Sequence, residues 1–283
     1  MKKEREREII QFLLNKNGWV KADIFAKQFT VSSRSIRKYV NEINETTSPS
    51  VLIMSSNNSS LKVAVDAVVF GYAKNEGVSV LLIQRKYPPF KDQWALPGGF
   101  VIENESLEAA VKRELEEETG VKVSYLEQLY TFGEPDRDPR QRVISVAYFA
   151  LVKTSMYEEL KASTDAEDVN WFNIKQLPRL AFDHKRIVHT AIERIRSKIR
   201  YQPIGFELLD KKFPFSDLEK LYTTLLDRDI DRRNFAKKML ALNVLDETHE
   251  FAMAEGKGRP SKIYQFNKKR YQELQRDGIN FEI

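Results

Sequence analysis

The chain has 283 residues, 42% of them hydrophobic and 31% charged, with a formal net charge of +5. That composition suits a globular chain of two or three domains, and its mild basicity permits a nucleic-acid partner without demanding one. There is no cysteine, which excludes disulfides, thiolate-zinc sites and cysteine nucleophiles.

The opening "MKKEREREII" carries no apolar core of signal-peptide length. No apolar run reaches the ~18 residues a membrane span needs, so a cytoplasmic protein is expected. A first unit is expected over residues 1–60, closed by the polar breaks "TTSPS" and "SSNNSS". In it Ile9, Ile10, Leu13 and Leu14 mark a first helix, and Ile24, Phe25 and Phe29 a second. Ser32 stands at the cap of a third, which would expose Arg34, Arg37 and Lys38 to a major groove. The stretch resembles the helix-turn-helix of sugar-operon repressors and antiterminators. It departs from them at Thr30, where such turns usually carry glycine.

Residues 61–199 read as a mixed α/β unit. "VAVDAVVFGY", "VSVLLIQRK" and "VISVAYFALV" are apolar β-type runs, and "VNWFNIKQLP" is a strand followed by a turn. "KRIVHTAIERIRSKI" is an amphipathic helix. Between these runs, "WALPGGF" leads into a helix that Ser106 can cap and Gly120 can end in the left-handed conformation. On it Glu114, Glu117 and Glu118 sit at i, i+3 and i+4, on one face. Carboxylates so placed repel one another unless something neutralises them, and a hard cation such as Mg²⁺ accepts oxygen ligands readily. Arg113 is placed to hold one of them. The Gly98–Gly99 turn lets a backbone carbonyl approach the same point, because no Cβ intervenes. A solvated acidic face would explain the glutamates alone, but not the fixed glycine, Glu105, the arginine and the closing glycine together. At average residue usage that pattern arises by chance at on the order of one position in a billion.

These residues resemble the Nudix box, glycine–five–glutamate–seven–Arg-Glu-apolar–any–Glu-Glu–any–Gly-apolar, with every fixed position matched. The resemblance implies an α/β/α sandwich and Mg²⁺- or Mn²⁺-dependent cleavage of a diphosphate linked to some other group. It also implies that Glu114, Glu117, Glu118 and the Gly99 carbonyl are metal ligands. Glu105 would then be an accessory carboxylate and Arg113 its orienting partner. The base in this family often lies outside the box, which makes Glu134, Asp165 and Glu167 candidates. In "TFGEPDRDPRQR", Arg137, Arg140 and Arg142 either grip phosphate bidentately or pair with Asp136 and Asp138 in a turn. Together with "WALPGGF" and "LAFDH", this stretch resembles the ADP-ribose pyrophosphatase branch. It equally resembles the Nudix-related transcriptional regulators, which sense ADP-ribose or sugars.

The last unit is expected over residues 200–283. Ser216 and Glu219 have capping-box spacing, which would start a helix at Asp217. Asp231 can cap the next helix. That helix turns Phe235, Met239 and Leu242 to a core and leaves Arg232, Arg233, Asn234, Lys237 and Lys238 outside. "EFAMAEGKGRPSKIYQF" then reads as a hairpin with a basic tip that includes Arg259, and the three elements make a winged helix. "DRRNFAKKML" and "GRPSKIYQF" resemble the winged helix of the Nudix-related regulators, in the same order after the same domain.

The expected fold class is α/β, a central Nudix α/β/α sandwich flanked by two small (winged) helix-turn-helix domains. The expected function is that of a homodimeric regulator on double-stranded operator DNA. It would bind ADP-ribose or a related nucleoside diphosphate sugar and hydrolyse it with Mg²⁺ or Mn²⁺. The alternative is a plain hydrolase whose helical units serve assembly.

Overall fold

The computed structural model describes residues 61–157, 160, 166–252, 260–279 and 281. Arg34, Arg37, Lys38, Asp165 and Arg259 lie outside the described residues. The chain divides at Ser60, and the unit described begins at Leu61.

β1 (Lys62–Ala73) turns back as β2 (Gly77–Arg85), followed by two short strands, β3 (Trp94–Ala95) and β4 (Gly98–Phe100). Helix α1 (Leu107–Thr119) precedes β5 (Leu126–Phe132), β6 (Val143–Lys153), β7 (Ala166–Asn173) and helix α2 (His184–Lys198). The seven strands form one mixed sheet in the order β3-β2-β1-β6-β5, with β4 added to β1 and β7 to β2. β1 and β6 run parallel over Lys62–Tyr72 and Val143–Lys153, and the other pairs are antiparallel.

Alternation along the central strands explains the layering. Val65, Ala67 and Val69 share a core with Ala110, Val111 and Leu115 of α1. Val68, Phe70 and Tyr72 share the opposite one with Ile187, Val188, Ala191 and Ile195 of α2. A strand covered on both faces needs the near-continuous apolar run seen in its sequence, and the α/β/α sandwich follows. β5 is absent from the apolar runs read above. It is an edge strand whose register shifts between Gln128 and Tyr130, so only Leu129 and Phe132 are buried and the alternation is broken.

The chain continues through β8 (Lys212–Pro214), α3 (Phe215–Leu226), α4 (Arg232–Ala241), β9 (Leu245–Ala252), β10 (Ser261–Phe266) and α5 (Lys268–Asp277), with the strands ordered β8-β10-β9. This is the winged helix. The expected cap at Ser216 is not formed: α3 begins at Phe215 behind Pro214 and has no side-chain cap. Ser216 lies inside the first turn, and Glu219 instead accepts from Arg232 Nε at 2.8 Å. Asp231 does cap α4, accepting from the Asn234 N–H at 2.9 Å. Phe235, Met239 and Leu242 are buried, as their spacing requires. Ile195 and Ile199 join Leu221, Leu225 and Phe235 in a single cluster, so residues 61–199 and 200–283 share one core. Among the described residues, no helix is long and apolar enough to cross a membrane.

Candidate functional site

α1 is capped as its sequence implies: Ser106 Oγ accepts from the Ala109 N–H at 3.1 Å, and Gly120 closes it at φ 73°. Arg113 is the hub of the acidic face. Its Nη1 donates to Glu114 Oε1 at 2.8 Å and Glu117 Oε2 at 3.2 Å, and its Nε and Nη2 grip Glu105 at 3.0 and 2.7 Å. Glu105 raises the Arg113 pKa and is itself held below the ordinary carboxylate value by Arg113 and then by the Ile102 N–H. Glu118 accepts from the Gly98 N–H at 2.8 Å, which ties the helix to the glycine turn. A Cβ on Gly98 would overlap the Val65 carbonyl, and one on Gly99 the Glu114 carboxylate.

The donor chemistry of Glu114, Glu117, Glu118 and the Gly99 carbonyl fits a hard divalent cation, since all are oxygen. Glu114 is a desolvated carboxyl. Burial pushes its carboxyl up even against Arg113, which is the burden a cation would relieve. Among the described residues, no three acidic or histidine side chains converge as a metal-holding group. Arg113 lies between Glu114 and Glu117 and neutralises part of the carboxylate face.

Beside the glycine turn opens a cleft. Asp66, Arg85, Gly98, Gly99, Arg140 and Phe182 are among its lining residues. Phe182, held at φ 50°, has the Arg85 guanidinium 4.9 Å from its ring centroid and that of Arg140 at 5.8 Å. Arg85 donates to the Pro89 carbonyl at 2.9 Å, and no carboxylate among the described residues lies within ion-pair distance of it. Burial, with Arg140 adding to it, lowers its pKa. Arg85 was not among the residues singled out from sequence, because nothing in "LLIQRKYPPF" distinguishes it from a surface arginine. The fold half-buries it.

The three expected arginines part company. Arg137 is buried, donating from Nε and Nη2 to Asp183 at 3.1 and 2.8 Å and from Nη2 to Asp66 at 3.2 Å. Arg140 pairs with Asp138, at 3.0 and 2.7 Å. Arg142 is exposed and donates to the Glu134 carbonyl at 3.0 Å. The turn reading therefore describes Arg140, whereas Arg137 finds its carboxylates far along the chain. His184 completes the network: its Nδ1 accepts from the Leu96 N–H at 2.8 Å, leaving Nε2 toward Asp66 Oδ1 at 3.5 Å. Ser145 Oγ also donates to Asp66. Of the candidate bases, Glu134 pairs with Arg186 at 3.1 Å on the surface, and Glu167 is exposed on β7. Neither lines the cleft, and the two acids that do, Asp66 and Asp138, are each bound to an arginine.

On α4, Arg232, Arg233, Asn234 and Lys237 are exposed, Lys238 is half-buried, and Arg232 is committed to Glu219.

Three domain families match successive parts of the chain. The NUDIX domain matches residues 60–191, the NrtR DNA-binding winged helix domain residues 205–266, and the M protein trans-acting positive regulator (MGA) HTH domain residues 2–59. The chain is 34% identical over 206 residues to the ADPR responsive transcriptional repressor NtrR of Acinetobacter baylyi, an alignment covering 71% of this chain and 80% of that one. It is 44% identical over 126 residues to the ADP-ribose pyrophosphatase of Methanocaldococcus jannaschii, covering 44% of this chain and 70% of that enzyme. The crystal structure of Shewanella oneidensis NrtR complexed with a 27mer DNA matches with a TM-score of 0.65 at 32% identity, over 74% of this chain and 95% of that one.

Proposed function

The chain belongs to the NrtR family of Nudix-domain regulators, and from that premise we propose that it binds operator DNA and ADP-ribose, or a related nucleoside diphosphate sugar, and hydrolyses that ligand. One observation carries the reading. The glycine turn of an intact Nudix box lines the same cleft as two guanidiniums flanking an aromatic ring, in a unit that shares its core with a winged helix.

Glu114, Glu117, Glu118 and the Gly99 carbonyl would hold Mg²⁺ or Mn²⁺, with Glu117 leaving Arg113 to do so. The bound cation supplies charge neutralisation at the diphosphate and a lowered pKa for the attacking water. Arg113 keeps Glu105 and Glu114 oriented. Arg85, Arg137 and Arg140 all line the cleft and meet the phosphates, and the fork of each guanidinium suits two phosphate oxygens. Water adds across the diphosphate, giving AMP and ribose 5-phosphate from ADP-ribose. On α4, Arg233, Asn234 and Lys237 face the DNA, with the N-terminal helix-turn-helix as a second contact. A single winged helix covers a half-site, so the DNA-bound form is a homodimer.

The test pairs two assays on one preparation: AMP release from ADP-ribose with and without Mg²⁺, and a gel shift on the DNA upstream of the protein's own gene. Activity without a shift would leave a plain hydrolase with helical appendages. A shift that responds to ADP-ribose without turnover would leave a sensor alone.

A further inference from the structure

We propose that α2 couples the cleft to the DNA-binding unit, and that the Arg137–Asp183 ion pair is the contact a bound diphosphate releases. The proposal rests on the reading of the cleft as an ADP-ribose site.

α2 has 15 residues, about 22 Å at 1.5 Å per residue. Its two ends are tied to different machinery. At the entrance, Asp183 occupies the N-cap position yet makes no side-chain cap bond. Its carboxylate is taken by Arg137 Nε and Nη2 instead. The next residue, His184, accepts from the Leu96 N–H, two residues before Gly98. The first turn of α2 is thus fastened both to the arginine loop and to the strand turn of the Nudix box. At the exit, Arg196 donates from Nε to the Leu225 carbonyl and from Nη2 to Asp227 Oδ2, each at 3.2 Å. Asp227 is the left-handed C-cap of α3, and Lys175 also holds it, at 2.6 Å. Four residues later Asp231 caps the basic helix α4. The far end of α2 therefore grips the turn that fixes where α4 starts.

The entrance has two alternative arrangements. Asp183 now stands at φ −93°, ψ 16°, whereas a side-chain N-cap wants extended backbone. Arg137 lines the cleft, and a phosphate matches its planar fork as well as a carboxylate does. A diphosphate that takes Nε and Nη2 displaces Asp66 as well as Asp183; Asp66 keeps the Ser145 hydroxyl, whereas Asp183 is left half-buried without its cation, which is costly. The nearest relief is the N–H groups in the first turn of its own helix, of which that of Arg186 now donates to the Asp183 carbonyl at 2.9 Å and would turn to the side chain instead. Reaching them swings the Asp183 backbone toward the extended region and turns the helix entry. A ligand moves such an equilibrium only through different affinity for the two forms, and here that difference is whether Arg137 is available.

The test uses full-length protein carrying Glu118→Gln, so that ADP-ribose persists. Operator affinity is measured with and without ADP-ribose, and ligand affinity by calorimetry, in that background and with Asp183→Asn or Arg196→Ala added. Asparagine caps as well as aspartate but forms no ion pair. Asp183→Asn should hold operator affinity at the ligand-saturated value without ligand, and cut the ADP-ribose response to under a third. Its ligand affinity should be retained or tightened, because Arg137 loses a competitor. Arg196→Ala, far from the cleft, should keep ligand affinity and lose the response. If both variants respond like the parent, or if Asp183→Asn loses ligand affinity along with the response, the coupling is overturned. A parent that binds no ADP-ribose overturns the functional reading, and the coupling with it. A parent that binds and responds while its variants respond equally overturns the coupling alone.

Discussion

Gly99 and Glu114 occupy one space: a Cβ on the glycine would overlap the carboxylate carbon and both carboxylate oxygens of the glutamate. Gly99→Ala must therefore push Glu114 off the position where Arg113 holds it. Misplacing a catalytic group by about 1 Å can cost on the order of 100-fold in rate. We expect AMP release from ADP-ribose to fall by about that factor, with thermal unfolding little changed because Glu114 can swing outward. A Gly99→Ala protein with parental turnover would mean that Glu114 is not in the reaction.

Glu114 also links metal to stability. Its folded-state carboxyl is raised by burial, with Arg113 opposing. A raised carboxyl pKa makes the folded state bind the proton more tightly, so stability is lost as pH rises from the unfolded value through the folded one. At neutral pH the ionised carboxylate is a burden. Mg²⁺ should raise Tm by binding the folded state alone. Glu114→Gln should raise Tm without metal and abolish the further rise with it. Scanning calorimetry with and without Mg²⁺ reads both, and an undiminished metal effect in the variant would remove Glu114 from the ligand set.

Arg85 is a half-buried cation with no carboxylate of the described residues in ion-pair reach. Removing it relieves a desolvated charge, so Arg85→Ala should cost little stability. It should cost binding: a charge-assisted hydrogen bond is worth about 1.5–3 kcal/mol, tenfold or more in Kd. Arg142→Ala, at an exposed site, should change affinity far less. Calorimetric titration with ADP-ribose ranks the two, and the reverse order would move the phosphates toward Arg142.

His184 predicts a pH dependence of opposite sign. Burial lowers its pKa below the ordinary 6.5, against the pull of Asp66. The unfolded chain therefore takes up the proton first, and stability is lost as pH falls below about 6.5 toward the folded value. The slope of unfolding free energy from this group is at most about 1.4 kcal/mol per pH unit. His184→Asn should flatten that limb, whatever it does to absolute stability. Denaturant melts across pH 5 to 7.5 compare the slopes.

Much of this was legible because its signals are local. The apolar runs of β1, β2 and β6, the Ser106 and Gly120 caps and the carboxylate spacing of α1 lie within a few residues of one another. What escaped is set by distance along the chain. The partners of Arg137 lie 71 and 46 residues away, and no local pattern announces that it is neutralised. Arg85 becomes a cleft residue only when Phe182 is folded onto it. Ser216 has the spacing of a cap, but the helix starts one residue before it, behind Pro214, whose fixed φ suits entry into a helix. The core shared by residues 61–199 and 200–283 was also hidden, since Ile195, Ile199, Leu221 and Leu225 each read as the inside of their own unit.

The basic face of α4 separates by partner. Arg232 is paired with Glu219 at 2.8 Å and must break that contact to reach DNA, whereas Arg233 and Lys237 stand exposed. Arg233 lies in the first turn of α4, the part of a recognition helix that meets base edges. Lys237 is one turn further on, where a backbone phosphate is the natural partner. Arg233→Ala should therefore cost about 1–3 kcal/mol on the operator and relax preference at one base position. Lys237→Ala should weaken binding to all sequences alike and reduce the slope of log K against log salt by about 1. Arg232→Ala should cost less than Arg233→Ala, because the parent gives up an ion pair to use that side chain. Fluorescence anisotropy on operator and scrambled duplexes, over a series of salt concentrations, distinguishes the three. Equal losses on both duplexes for Arg233→Ala would take it out of the groove and put it on the backbone. No loss for any of the three would mean that another face of the winged helix meets the DNA.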